Sequence, residues 1–244
     1  MIIAVNGLVT GPNGERGVAG AGKDEVAQRL VKKHGFVAVA LADPMKRFCQ
    51  DVYEFSDEQL WGPSGERNKP DERYLRTTVY APHMLHPEEL EKNPTGELPQ
   101  YLTPRHALQQ LGTEWGRECF KHTWVDYTLR IHSVLQGGDF YYDQHTGLRH
   151  WASVESSWVK AKVNVVVPDV RFVNELERIQ QAGGKVVRVK RHYQTLPGFF
   201  AGHLSETELL NVPDEKFDFV IQNLGTLEDL YQAVDIMMEE LHEK

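Results

Sequence analysis

The 244-residue chain is poor in cysteine, with only Cys49 and Cys119, 70 positions apart. That excludes a disulfide framework and makes a reducing cytosol the natural setting. Long apolar runs are missing too. The stretch 36–42 is among the longest and falls far short of a bilayer span. No signal-peptide pattern opens the chain, so a cytoplasmic place is expected, without a membrane partner. Positive charge is also short, with Lys+Arg 27 against Asp+Glu 35 and a formal net charge of −8. This balance argues against a general nucleic-acid binder and leaves room only for a local basic pocket. Gly 20 and Pro 12 are ordinary counts, which sets aside collagen-like and low-complexity readings. Apolar residues at 41% and charged residues at 25% match an average globular protein. The length suits one domain over residues 1–244 with a proper core. An enzyme or a binding protein is expected.

Ile2-Ile3-Ala4-Val5 reads as a buried strand ending near Gly7, and Leu8 to Arg16 as an excursion before a glycine-rich loop. A helix begins at Lys23, with Val26, Ala27, Leu30 and Val31 on one face and Gly35 to end it. Residues 36–41 read as a second buried strand. Asp43-Pro44 follows as a helix cap, with Met45, Phe48, Cys49 and Val52 at helical spacing. From 61 to about 160 the rhythm breaks into an insertion of loops, helices from Thr103-Pro104 and near Thr123, and a hairpin between Phe140 and Trp158. In the first of these helices Ala107, Leu108, Leu111 and Trp115 share one side. Then βα units resume: a strand at 163–167, a helix with Phe172, Leu176 and Ile179 inward, a strand at 185–190 and a strand at 217–221. A last helix is capped by Thr226-Leu227-Glu228-Asp229, with Leu230, Val234, Met237 and Leu241 inward. The reading is α/β, with five parallel strands and helices on both faces.

Gly17-Val18-Ala19-Gly20-Ala21-Gly22-Lys23-Asp24 has the spacing of a phosphate-binding loop up to its last position. Glycines let backbone N–H groups converge on a phosphate, and the helix behind adds its positive dipole end. Asp24 stands where Ser or Thr is usual, and a carboxylate can hold a metal's water shell. The plain alternative is a glycine-rich turn capping a helix. A position between a strand and an amphipathic helix favours the phosphate reading.

Asp169 and Arg171 follow the third strand, where ligands gather in open α/β sheets. They suit a metal and a bidentate phosphate clamp, or else a helix cap and an Arg171–Glu175 pair. Arg105, Gln109, Gly112 and Thr113 share neighbouring turns of one helix. They suit a base and a monophosphate, or a solvated face with close packing at Gly112. His83 and His86 are closely spaced but lack the pattern of a metal site. Lys185, Arg188, Lys190 and Arg191 read as a solvated basic edge, with Arg191 placed to reach transferring phosphates.

In this order the motifs resemble the bacteriophage-type deoxynucleoside monophosphate kinases over nearly the whole chain. The carriers are Gly22-Lys23-Asp24, Leu41-Ala42-Asp43-Pro44-Met45-Lys46, Leu60-Trp61-Gly62-Pro63-Ser64 and Thr103-Pro104-Arg105. Leu108 through Thr113, Trp124, Val167-Pro168-Asp169-Val170-Arg171-Phe172 with Glu175, His203-Leu204-Ser205-Glu206 and Asn223 through Leu227 complete them. The resemblance implies transfer of the ATP γ-phosphoryl group to a deoxynucleoside 5′-monophosphate. It also implies sheet order 2-3-1-4-5 and an acceptor site built largely by the insertion.

On this reading Ala19, Gly20, Ala21, Gly22, Lys23, Asp24, Glu25 and Arg191 bind ATP, and Asp24 and Asp169 hold Mg²⁺. Lys23, Asp169 and Arg171 are the catalytic set. Lys46, Arg67, Arg73, Arg105, Gln109, Gly112, Thr113, Trp124, Asp169, Arg171, Phe172 and Glu175 form the acceptor side. The attacking phosphate oxygen is already anionic, so alignment and charge neutralisation matter more than a general base. The partner is a small-molecule substrate, and the chain fits a monomer or a homodimer. Rival readings are a P-loop ATPase and a polynucleotide-end kinase. The second would need a basic groove that the net charge disfavours.

Overall fold

A computed structural model describes residues 1–63, 65–136, 139–142, 149–152, 163–193 and 207–243. Ser64, His203-Leu204-Ser205-Glu206 and, of the expected hairpin, residues 143–148 and 153–158 lie outside them. The chain forms two compact units, one of Met1–Leu41 with Phe120–Lys244 and one of Ala42–Cys119.

The first unit opens with β1 (Ile2–Thr10), β2 (Arg16–Gly17), α1 (Lys23–His34) and β3 (Val37–Ala38). The second holds α2 (Asp43–Tyr53), α3 (Asp57–Trp61), β4 (Asp71–Tyr80), α4 (Pro87–Lys92), β5 (Glu97–Leu102) and α5 (Pro104–Gln109). A wide π-helical run, Gln110–Arg117, continues α5. The chain then returns to the first unit with α6 (Thr123–Leu135), β6 (Asp139–Tyr142), β7 (Arg149–Ala152) and β8 (Val165–Val167). It ends with α7 (Val173–Gln181), β9 (Lys185–His192), β10 (Phe219–Gln222) and α8 (Leu227–Glu243).

The main sheet runs β10-β9-β1-β8-β3, all parallel, with β2 added antiparallel to β1. Among these parallel strands the chain order across the sheet is 2-3-1-4-5. Period-two alternation along β1 builds both cores. Ile3 and Val5 pack with Val26, Leu30, Leu230 and Val234 under α1 and α8. Ile2 and Ala4 pack with Val125, Leu176 and Ile179 under α6 and α7. Strand β1 is therefore buried on both faces, which suits its continuous apolar sequence. Gly35 ends α1 in a left-handed conformation (φ 70°), donating its N–H to the Leu30 carbonyl. Strands β6 and β7 pair antiparallel as a separate hairpin. Among the described residues no helix is long and apolar enough to cross a membrane.

Several expectations need correction. The second strand has only two paired residues, Val37 and Ala38, both exposed at the sheet's edge. Strand β1 does not stop near Gly7. It runs to Thr10, turns at Gly11–Gly14 and returns through β2, so the excursion is a β-hairpin grown from the sheet. Strand β9 is not an edge, because it lies between β1 and β10 with Arg188 only 1% exposed. The second compact unit spans 42–119, and the expected insertion covers 61–160. Composition marks loops and does not mark boundaries. Cys49 of α2 packs in the second unit's core with Phe55, Leu60, Leu102 and Ala107, whereas Val125 of α6 packs in the first's. The expected helix faces are also narrower, with Val31, Phe48, Val52 and Trp115 exposed. Ala42, not Asp43, is the cap residue of α2.

Burial pushes the Cys49 thiol up to about 11, while Cys119 is exposed. Only thiolate reacts with a disulfide reagent, so the native chain is expected to titrate as one reactive thiol near pH 8. In denaturant it should titrate as two. Rapid modification of both thiols in the native chain would contradict this packing.

Candidate functional site

The glycine-rich loop lies at the carboxyl end of β1, where Gly7 lets it come close. A Cβ on Gly7 would stand 2.9 Å from the Val18 carbonyl oxygen and 3.1 Å from the Ala21 Cβ. Gly20 (φ 85°) and Gly22 (φ 98°) both hold positive φ, which glycine adopts without the steric cost that L side chains meet. Gly22 precedes α1, whose first turn has no side-chain cap and carries Asp24 and Glu25. Those N–H groups and the helix dipole point toward the loop's mouth.

Two side chains from distant strands hold the loop from outside. Tyr193, just past β9, donates its hydroxyl to the Gly20 carbonyl at 2.8 Å. Asn223, just past β10 and buried, donates its side-chain N–H to the Ala21 carbonyl at 2.9 Å. The sequence motifs single out neither interaction.

Lys23 extends from the loop with its side chain only 15% exposed. Its ammonium lies 2.7 Å from Asp24 and 3.7 Å from Asp169. Asp169 is placed by the segment after β8, which β1 grips twice. The Val170 N–H donates to the Val5 carbonyl at 3.0 Å, and the Asn6 amide donates to the Val170 carbonyl at 3.0 Å. Burial pushes the Asp169 carboxyl up, but the charges of Arg171 and Lys23 and their hydrogen bonds outweigh it and hold the group below its ordinary value. Its ionised form therefore favours the folded state above the ordinary carboxylate range. That contribution disappears as pH falls through the lowered value.

Arg171 donates from Nε to Asp169 at 2.7 Å, and a second guanidinium nitrogen is at the same distance. Asp169 is not the cap residue of α7. Phe172 is the cap residue of α7, and buried Glu175 accepts backbone N–H groups of Arg171 and Phe172 at 2.9 and 3.1 Å. Phe172 and Glu175, expected on the acceptor side, are thus built into the first unit's interior. Trp124 packs against the same unit's core. Glu25 accepts the Tyr231 hydroxyl at 2.8 Å between α1 and α8, and Arg191 lies over the Tyr193 ring at 5.1 Å.

Arg188 supports the middle of β1 at Asn6. It donates to Asn6, to the Leu209 and Val212 carbonyls and to Asp214, and stacks 3.8 Å from the Phe217 ring centroid. Pairing of four of its five N–H donors is what allows this guanidinium to be buried.

The second unit carries the other expected residues. Arg73 grips Asp71 bidentately at 2.9 and 2.8 Å and approaches the Tyr53 and Glu54 carbonyls. Arg67 donates to the Leu60 and Gly62 carbonyls at 3.3 and 3.1 Å. Both therefore brace this unit's own backbone. Arg105 donates to Asn68 at 2.5 Å, and Lys46 lies 5.5 Å from the Trp61 ring centroid. Gln109, Gly112 and Thr113 fall at the junction of α5 with its π-helical continuation, a form found mostly at functional sites. A Cβ on Gly112 would stand 3.0 Å from the Met45 sulfur, so glycine leaves that side chain its room. Among the described residues, no group of three His, Cys, Asp or Glu side chains is arranged to hold a metal ion.

No family model matches the chain. It is similar to a protein of Acanthamoeba polyphaga mimivirus named "Putative deoxynucleotide monophosphate kinase", with 28% identity over 223 residues. The match covers 91% of this chain and 92% of that protein.

Gly22→Ala tests the loop geometry. The positive φ and a Cβ only 2.6 Å from the Asn223 nitrogen make the change strained. A non-glycine residue in this conformation costs about 1–2 kcal/mol, which for a chain of this size lowers Tm by roughly 2–8 °C. Gly65→Ala, at a site with nothing within 4 Å, should leave Tm unchanged. Differential scanning calorimetry of the two variants checks the contrast.

Proposed function

We propose that the chain transfers the γ-phosphoryl group of ATP to a deoxynucleoside 5′-monophosphate. The observation that carries the reading is the juxtaposition of Lys23 with Asp169 and Arg171. A phosphate-sized anion at the uncapped start of α1 would meet backbone N–H groups, the helix dipole and the Lys23 ammonium together. The parallel sheet agrees with a nucleotide-kinase architecture. The viral relative, matched over nine-tenths of both chains, supports the same class of reaction.

Lys23 would leave its carboxylate partners for the β and γ phosphates of ATP. Asp24 and Asp169, whose oxygens lie 2.7 and 3.7 Å from the Lys23 ammonium, offer the hard carboxylate donors that Mg²⁺ takes. When bound, that ion neutralises charge shared by the β and γ phosphates. Arg171, oriented by Asp169, offers the acceptor phosphate a planar fork that lysine cannot copy. Arg191, at the end of β9, is a second cation for the transferring group. The Asp169–Arg171 pair also gives a ready exchange: the guanidinium keeps a counter-anion in the absence of substrate and is already held in position when a phosphate arrives.

Lys23→Ala is expected to fold and to lower kcat by about 10²-fold or more, as when a preorganised charge facing a transition state is lost. Arg171→Lys is expected to retain ATP binding while kcat/KM for the best deoxynucleoside monophosphate falls by roughly tenfold or more, above 1.4 kcal/mol. Steady-state kinetics with ATP saturating measures both. Near wild-type turnover of Lys23→Ala would remove the phosphate loop from the account. A change below about threefold for Arg171→Lys, under 1 kcal/mol, would remove the clamp.

A further inference from the structure

The geometry points to Tyr193 and Asn223 as positioning residues that aim two backbone N–H groups of the loop at the phosphates of the bound triphosphate. The inference rests on the phosphate reading above. In a planar trans peptide the C=O and the following N–H point in opposite directions. Tyr193 draws the Gly20 carbonyl outward at 2.8 Å, which turns the Ala21 N–H of the same peptide inward. Asn223 draws the Ala21 carbonyl outward at 2.9 Å, which turns the Gly22 N–H inward. Left-handed residues at 20 and 22 with an ordinary residue between them belong to the backbone pattern that gathers successive N–H groups into an anion-binding concavity.

Both glycines are also sites where the anchors come too close for a side chain. A Cβ on Gly20 would stand 2.9 Å from the Tyr193 hydroxyl, and one on Gly22 would stand 2.6 Å from the Asn223 nitrogen. The anchors are themselves fixed by the sheet. The Tyr193 N–H donates to the Thr10 carbonyl at 2.9 Å, and the Asn223 N–H donates to the Lys190 carbonyl at 2.7 Å. The β1–β2 hairpin thus has a part in the site, because its first strand must reach Thr10 to hold Tyr193. Spacing alone does not preorganise this loop. Two donors, 173 and 202 residues away in sequence, orient its peptides.

Tyr193→Phe removes only the hydroxyl. Asn223→Asp keeps the shape and replaces the donor with an oxygen that repels the Ala21 carbonyl. Calorimetric titration with ATP and with inorganic tripolyphosphate, alongside KM for ATP and for the deoxynucleoside monophosphate, reads the effect. Each variant is expected to bind both polyphosphates roughly three- to tenfold more weakly, the worth of one well-placed hydrogen bond. KM for the monophosphate should stay unchanged, and Asn223→Gln should not restore affinity because its longer arm displaces the donor. Unchanged polyphosphate affinity in both folded variants would overturn the inference, whether or not Tm falls. So would equal loss of ATP and monophosphate affinity. A wild-type chain that binds neither ATP nor tripolyphosphate would overturn the phosphate reading, and this inference with it.

Discussion

The central place of β1 in the sheet is the constraint on which the first unit depends. Parallel pairing with β8 at Ile2, Ile3 and Ala4 and with β9 from Ile3 to Thr10 gives its amino half neighbours on both flanks, and β2 joins it opposite β9 at Val9 and Thr10. Those neighbours carry the charged groups of the candidate site. Val5 and Asn6 hold the segment bearing Asp169 and Arg171, Gly7 admits the loop, and Thr10 holds Tyr193. Few of these contacts involve apolar side chains. The two cores keep β1 in place, and backbone hydrogen bonds then set the positions of the polar groups. A shift of β1 by one residue would exchange its faces and move all of these groups together.

Electrostatically the site is balanced within itself. Lys23 has two carboxylates within 3.7 Å, and Asp169 has Lys23 and Arg171. Such a network holds long side chains in defined places, which reduces the ordering cost when a ligand exchanges for one of the partners. Arg188 shows the opposite solution. Its guanidinium is buried among fixed oxygens and an aromatic face and acts as a strut beneath Asn6.

Much of the first unit was legible because its signals are local. The alternating apolar strands, the 3.6-residue period of α1 and α8, the left-handed Gly35 and the Thr226–Asp229 cap each lie within one turn or strand. The closeness of Lys23 to Asp169 was legible in outline, since both follow strands of one parallel sheet. The anchoring roles of Tyr193 and Asn223 were not, although Asn223 opens one of the motifs that carry the resemblance. Their partners are carbonyls, which leave no residue-type signature, and they are far away in sequence. Arg188 read as a surface charge because burial of an arginine depends on oxygens contributed by 209–214, a segment without periodicity. The engagement of Arg73 by Asp71 and of Arg67 by the carbonyls near Leu60 was not legible either, because neither partner leaves a motif. The boundary at 119–120 was hidden for a related reason: α6 has no composition that distinguishes one unit's core from the other's.

The most direct test of the central claim is the product balance of the purified chain with ATP and Mg²⁺, resolved by anion-exchange chromatography. Each deoxynucleoside monophosphate, each ribonucleoside monophosphate and a 5′-hydroxyl oligonucleotide would be offered in turn. The account predicts that ADP appears only with a monophosphate present, in equal amount to the diphosphate formed, and fastest with a deoxynucleotide. Release of inorganic phosphate from ATP without an acceptor, or transfer to the oligonucleotide alone, would contradict it.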